Sequence, residues 1–326
     1  MAVQSGAPSV QLDALEHFRP ELTGYCYRML GSVFDADDAV QDTMVRAWRG
    51  GESFEGRSAL RSWVYRIATN VCLDMLRSRR RRARPTELGP PSPADASSLK
   101  NVLPESVWIE PIPDSRVFAG SDPADVVESK ETVRLAFVTA LQHLPARQRA
   151  VLILREVLQW QASEVAELLD TSVASVNSAL QRARATLSAQ SIDADSSQVQ
   201  ALDSDKQHLL ARYVAAFEGF DLDGLVTLLR EDVVQTMPPY AMWLQGPDAV
   251  IAWLLGPGNA CKGSRLVPIA ANGGPAFAQY RVDPEGGFKP WAIQIIDIEG
   301  ARITGLHNFL DTRLFDVFGL PKHLGG

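Results

Sequence analysis

A proline-rich stretch divides this chain before any fold is considered. Pro85 has no backbone N–H, and its ring clashes with the preceding turn, so the helical pattern before it stops there. The following LGPPSPADASS favours disordered or extended chain over a packed core. One continuous domain cannot run through it. We read a flexible tail at 1–10, a helical module at 11–86, a linker at 87–129, a second helical module at 130–190 and a last domain at 201–326. A length of 326 residues agrees with two or three domains. Inside the linker, VWIEPIPDS breaks the polar composition with Trp108, Ile109, Pro111, Ile112 and Pro113. It is either a docking peptide for a neighbouring domain or a segment threading a groove of its own protein.

The first module reads as three helices. One starts at Asp13, carries Leu15, Phe18, Leu22, Cys26 and Met29 at helical spacing, and ends at Gly31. A second follows Asp35, with Val40, Met44, Ala47 and Trp48 on one face and Asp38, Gln41, Asp42 and Arg46 elsewhere. Acids in its first turn suit the positive end of the helix dipole, so Asp35, Asp37 and Asp38 also have a purely capping reading. A third starts near Ser58, with Leu60, Trp63, Val64, Ile67, Val71 and Leu76 on its expected buried side. Arg57, Arg61, Arg66, Asn70, Asp74 and Arg77 remain for the outside.

Charge is concentrated rather than spread. The chain carries a net −7, which argues against indiscriminate binding to nucleic acid. Yet from Arg57 to Arg84 nine arginines face one acid, Asp74. The three cysteines, Cys26, Cys72 and Cys261, are widely spaced and form neither a disulfide framework nor a metal knuckle. No metal or other cofactor is expected. The start, MAVQSGAPSV, lacks the features of a signal peptide, and no run approaches a membrane span.

From Lys130 to Leu187 a compact helical pattern returns. Val133, Phe137 and Leu141 mark one helix, and Pro145 opens a second with Ala150, Val151, Leu154 and Leu158 inside. Two helices, Ser163–Leu169 and Val173–Leu187, flank a tight turn with Ser172 as N-cap, the pattern of a helix-turn-helix. At about 100° per residue, Val173, Val176, Leu180, Ala183 and Leu187 fall on one side of the last helix. Ala174, Ser175, Ser178, Gln181 and Arg182 fall opposite, with Asn177 and Arg184 on the flanks. Small residues permit close approach to a major groove, amides can read adenine, and arginine can read guanine or phosphate. An ordinary solvated helix face is the competing reading.

Beyond SAQSIDADSSQVQ the pattern changes class. Helices carry Leu209, Tyr213 and Phe217, then Leu225, Val226, Leu228 and Leu229. Strands are expected at Asp232–Met237, Arg265–Ala271, Ala276–Val282, Trp291–Ile298 and Ala301–Phe309, with a helix after Gly246-Pro247 and a hairpin at Glu299-Gly300. The fold class is therefore multidomain: two all-α modules followed by an α+β domain with a curled sheet.

DADDAVQDTMVRAW followed by LRSWVYRIATNVCLDMLRSRRRR resembles region 2 of the bacterial extracytoplasmic-function sigma factors. LPARQRAVLILREVLQWQASEVAELLDTSVASVNSALQRARATL resembles their region 4. The remainder resembles the cone-like SnoaL domain of some such factors, and WIEPIPD their Trp-Pro linker motif. The resemblance implies core RNA polymerase as a partner, through clamp helices and flap of its large subunits, and promoter DNA as the other. It places Asp38, Gln41, Asp42 and Arg46 on the polymerase. It places Phe54, Arg61, Trp63, Tyr65, Arg66, Asn70, Arg77 and Arg80 on the −10 element, with the arginine run following phosphates. Trp63 also fits the helix core. The −35 element falls to Ala174, Ser175, Asn177, Ser178, Gln181, Arg182 and Arg184.

Many such factors have a shorter linker and are held by a separate anti-sigma protein. The extra domain here is therefore expected to regulate in cis, contacting regions 2 and 4 and the linker at Trp108, Pro111 and Pro113. A reducing cytoplasm is the expected location, given the three widely spaced cysteines. The rival reading is a ligand-sensing or catalytic SnoaL-like domain, of isomerase or hydrolase type, fused to a helix-turn-helix regulator. Its pocket would be lined by Tyr240, Trp243, Trp253 and His307, with Asp297 as a further acid.

Overall fold

A computed structural model describes residues 12–51, 54, 59–77, 81–119, 130–189 and 204–325. They divide into two compact units, Met1–Arg82 with Ser115–Ser196, and Ala83–Asp114 with Ser197–Gly326. The tail at 1–10 and the segments 120–129 and 190–203 lie outside the described residues. Among the described residues no helix is long and apolar enough to cross a membrane.

The first unit is helical. Helices α1 (Leu12–Glu16), α2 (Arg19–Leu30), α3 (Val33–Gly50) and α4 (Leu60–Arg77) form its first half. The single helix expected from Asp13 is two, because Pro20 sits in the first turn of α2, where a missing N–H costs nothing. Gly31 closes α2 in the left-handed conformation, with φ 73°. Ser32 caps α3 by accepting from the Asp35 amide at 3.2 Å, so the acids behind it are released for other work. On α4 the buried stripe is Val64, Tyr65, Ala68, Thr69, Val71 and Cys72, while Trp63 and Ile67 are only half-buried. The expected buried side was rotated, because Tyr65 and Thr69 are polar only at their tips. Both tips are satisfied: Thr69 Oγ1 lies 2.7 Å from Tyr25 Oη and donates to the Tyr65 carbonyl, and the Tyr65 hydroxyl donates to Glu21 at 3.2 Å.

The second half of this unit comprises α5 (Leu135–Gln142), α6 (Ala146–Leu152), α7 (Ala162–Leu168) and α8 (Val173–Ser188). It packs on the first through buried arginines. Arg149 donates to the Met29 carbonyl, to Gln142 Oε1 at 2.6 Å and to the Leu144 carbonyl at 3.2 Å. Arg28 donates to Thr132 Oγ1 at 2.6 Å. Burial lowers both guanidinium pKa values to about 10, and the carbonyl and hydroxyl acceptors offset the lost hydration.

The second unit is α+β. Helices α9 (Ser204–Glu218) and α10 (Leu222–Val226) precede a six-stranded sheet, and α11 (Pro247–Leu255) and α12 (Arg313–Val317) complete it. The strands are β1 (Leu229–Thr236), β2 (Trp243–Gln245), β3 (Arg265–Ala271), β4 (Gly274–Val282), β5 (Phe288–Glu299) and β6 (Arg302–Phe309). Their order is β2-β1-β6-β5-β4-β3, with β1 parallel to β6 and every other pair antiparallel. The expected hairpin is present: Glu299 pairs Arg302 around Gly300, whose φ of 57° suits glycine. The core joins Leu209 and Tyr213 of α9 to Val250, Phe277, Ile296 and Leu306.

The linker is not a free coil. Residues 83–114 belong to this second unit. The Ser92 amide donates to the Trp243 carbonyl at 2.8 Å, and Trp243 Nε1 donates to the Gly89 carbonyl at 2.9 Å. Prolines without amides need few acceptors, and edge strand β2 offers partners for the amides that remain. The expectation of disordered or extended chain through LGPPSPADASS is corrected accordingly.

Candidate nucleic-acid interface

On α3, Asp38, Gln41 and Arg46 are exposed and Asp42 is half-exposed, so one outward face carries all four. Arg46 pairs with Asp42 at 2.7 Å, one turn apart. Trp48, read with the apolar face, is 60% exposed while Val40, Met44 and Ala47 are buried. It thus extends the outward face by a large aromatic. The acids at the helix start do more than cap. Asp35 pairs with Arg82 at 2.5 Å with both side chains buried, and Asp37 pairs with Arg116 at 2.6 Å.

The residues expected around the −10 element are differently placed. Phe54 and Trp63 stack obliquely, ring centroids 5.0 Å apart, and both are half-buried. Asn70 and Arg77 are exposed, with Arg77 paired to Asp74 at 3.0 Å. Arg66 reaches the Glu167 carbonyl at 3.3 Å on α7. Tyr65 is fully buried, its ring 5.1 Å from Trp160 and 5.3 Å from Tyr25, and its hydroxyl donates to Glu21 at 3.2 Å. Burial, reinforced by Glu21, pushes its phenol pKa up. Arg61 pairs with Glu21 at 2.9 Å and lies over both Tyr65 and Trp160 at 5.4 and 5.3 Å. Arg57, Arg79 and Arg80 lie outside the described residues. Arg82 and Arg84, read as phosphate followers, are engaged instead. Arg82 holds Asp35, and Arg84 Nη2 lies 2.6 Å from His307 Nε2.

Helix α8 presents the expected surface almost residue for residue. Ala174, Ser175, Asn177, Gln181, Arg182 and Arg184 are exposed, Ser178 is half-exposed, and Val176, Leu180 and Ala183 are buried. Ser172 caps it by accepting from the Ser175 amide at 3.1 Å. Val173 is the exception at 43% exposed, because the first helical residue precedes the packed turn. Arg184 is held by Glu156 and Arg182 donates to Ser178 at 2.7 Å, which fixes both guanidinium groups along the face.

In the second unit Trp108, Ile109, Pro111, Ile112 and Pro113 are all buried. Ile112 and Asn272 exchange hydrogen bonds of 3.0 Å, and Pro113 bridges Ala271 at the end of edge strand β3. The Gly273 amide donates to Asp114 at 2.8 Å. Of four cavities formed among the described residues, none brings Tyr240, Trp243, Trp253 and His307 together. Trp253 lines a cavity of about 30 Å³ between the helices and the sheet, too small for an organic ligand. Tyr240 and Trp243 meet the linker instead, Tyr240 bridging Val102. His307 is buried between Thr236 (2.9 Å at Nδ1), Asp297 (2.8 Å at Nε2) and Arg84. Burial, then Arg84, hold its pKa below the ordinary value while Asp297 opposes. With its pKa lowered the imidazole is neutral at pH 7, one ring nitrogen donating and the other accepting. Arg84 was missed as its partner; the only signal was its place one residue before Pro85.

Two helical modules, one with an acidic and aromatic face and one with a helix-turn-helix, joined by a segment held on an α+β domain, define the class of a promoter-recognition factor. Comparison with known families agrees with that class. Sigma-70 region 2 matches residues 14–82, Sigma-70 region 4 matches 134–187, and a SnoaL-like domain matches 210–306. The chain is 46% identical over 312 residues to ECF RNA polymerase sigma factor SigG of Mycobacterium tuberculosis, covering 95% of this chain and 83% of that protein. It is 29% identical over 255 residues to SigJ of the same organism, covering 76% and 73%. The fold matches the crystal structure of Mycobacterium tuberculosis SigJ with a TM-score of 0.59 at 21% identity, over 95% of this chain and all of that one. The chain belongs to the ECF RNA polymerase sigma factors, which are initiation factors rather than enzymes.

Proposed function

We propose that this sigma factor binds core RNA polymerase through the α3 face of Asp38, Gln41, Asp42 and Arg46, extended by Trp48. The clamp helices of the large subunits are the counterpart of this face, and the flap is that of the second helical module. In the −10 set, Asn70 and Arg77 are exposed, Phe54, Trp63, Arg61 and Arg66 are partly exposed, and Tyr65 is buried against Trp160. Using Tyr65 on DNA requires Trp160 to move away from it. The α8 face from Ala174 to Arg184 reads the −35 element. The work takes place in the cytoplasm, where core polymerase meets DNA.

We further propose regulation in cis by the linker. The observation that carries it is the incorporation of residues 83–114 into the C-terminal unit. As free chain these residues would reach on the order of 100 Å. Promoter elements centred near −10 and −35 are roughly 80 Å apart at 3.4 Å per base pair. Docking shortens that reach and engages Arg84 with His307, so a docked linker restrains promoter binding. Promoter-specific transcription with purified core enzyme tests this by comparing the full chain with one lacking residues 201–326. Altered core binding or promoter output supports the reading; identical output rejects it.

A further inference from the structure

Arg149 is 4% exposed, and every group that holds it is neutral. Its Nη1 donates to the Met29 carbonyl and to Gln142 Oε1, and its Nη2 donates to the Gln142 and Leu144 carbonyls at 3.1 and 3.2 Å. Its Nε is buried with no acceptor among the described residues. Among those residues no carboxylate pairs with it; burial lowers its pKa, opposed by Cys72 alone. At pH 7 the guanidinium still carries its charge. Carbonyl dipoles satisfy its Nη atoms but supply no full negative charge, and a buried ion without a counter-charge is costly.

A cavity of about 170 Å³ lies beside this cation, within the helical unit. Arg149, Gln142 and Ala146 line it from the second half, and Arg81 and the Asp35–Arg82 pair line it from the first. The carboxylate on its wall, Asp35, is engaged by Arg82 at 2.5 Å. The volume is below the roughly 300 Å³ at which sites for drug-sized molecules begin. It is well above the ~15 Å³ that one water needs. A small ion with several acceptor oxygens fits these limits, because guanidinium groups bind such oxygens strongly.

We propose that this cavity binds a small phosphate-class oxyanion, which gives Arg149 the counter-charge that its carbonyl partners do not supply. The Arg149 Nε–H is the donor left for it, and Arg81 is a second guanidinium on the same wall. Because the walls come from both helical halves, an occupant holds those halves together. What that does to promoter binding rests on the reading above that Trp160 moves away from Tyr65.

Calorimetric titration of the full chain with inorganic phosphate tests the site, with ionic strength held constant by sodium chloride. Saturable binding is expected. Arg149→Gln and Ala146→Glu should each weaken it about tenfold or more. The second variant puts a carboxylate on the cavity wall from a half-buried position in the first turn of α6. An acid suits that turn, so this variant decides the matter if the first fails to fold. Absence of saturable binding at millimolar phosphate overturns the proposal. So does parent-like affinity in either folded variant, which would place the ion on the exposed arginines of α8 instead. Polymerase takes no part, so failure here leaves the cis-regulation reading standing.

Discussion

Removing the Asp35 carboxylate leaves the Arg82 guanidinium buried without its 2.5 Å partner. Breaking a buried pair on one side costs about 3–5 kcal/mol, so Asp35→Ala should lower the urea midpoint of the helical unit strongly. Asp42→Ala, at an exposed pair, should change it little. His307 gives a second residue-level expectation. Its folded pKa lies below its ordinary 6.5, so unfolding takes up a proton below that pH. The stabilising share is complete above about 6.5 and is lost as pH falls through the lowered value. Thermal unfolding between pH 5 and 8 should therefore show more acid loss in the parent than in His307→Gln; parallel losses would refute the assignment. Sequence could locate His307 and Arg84 but not bring them together, because 223 residues separate them.

Among elements, α8 was the most legible. A regular 100° step, one cap and one apolar stripe separated its exposed face from its buried stripe. Helix α4 was read one step off because Tyr65 and Thr69 count as polar although their hydroxyls are paired with Glu21, Tyr25 and the Tyr65 carbonyl. Strand β2, three residues long, lacks enough alternation to be seen. On α8, Gln181→Ala should reduce discrimination at one base of the −35 element by about 1–3 kcal/mol, and Arg182→Ala should lower the salt slope by about 1. Filter binding of the holoenzyme to promoter variants at several salt concentrations would measure both. Loss that is uniform across sequences for Gln181→Ala would argue against base reading.

At the scale of the whole molecule, the sequence separated helical from mixed domains correctly by the change in hydrophobic period. It could not say which domain holds the linker. Trp108, Ile109 and Ile112 announced burial, but their acceptor, the β3–β4 turn at Asn272, carries no distinguishing pattern. That attachment is the centre of the regulatory account. Pro113 and Ala271 are bridged neighbours, so cysteines at both positions would lock the linker in place when oxidised. The measurement is promoter-specific transcription by core polymerase with this Pro113→Cys, Ala271→Cys protein, before and after reduction. The account predicts little transcript from the oxidised protein and recovery on reduction. Full transcript from the verified oxidised form would contradict it.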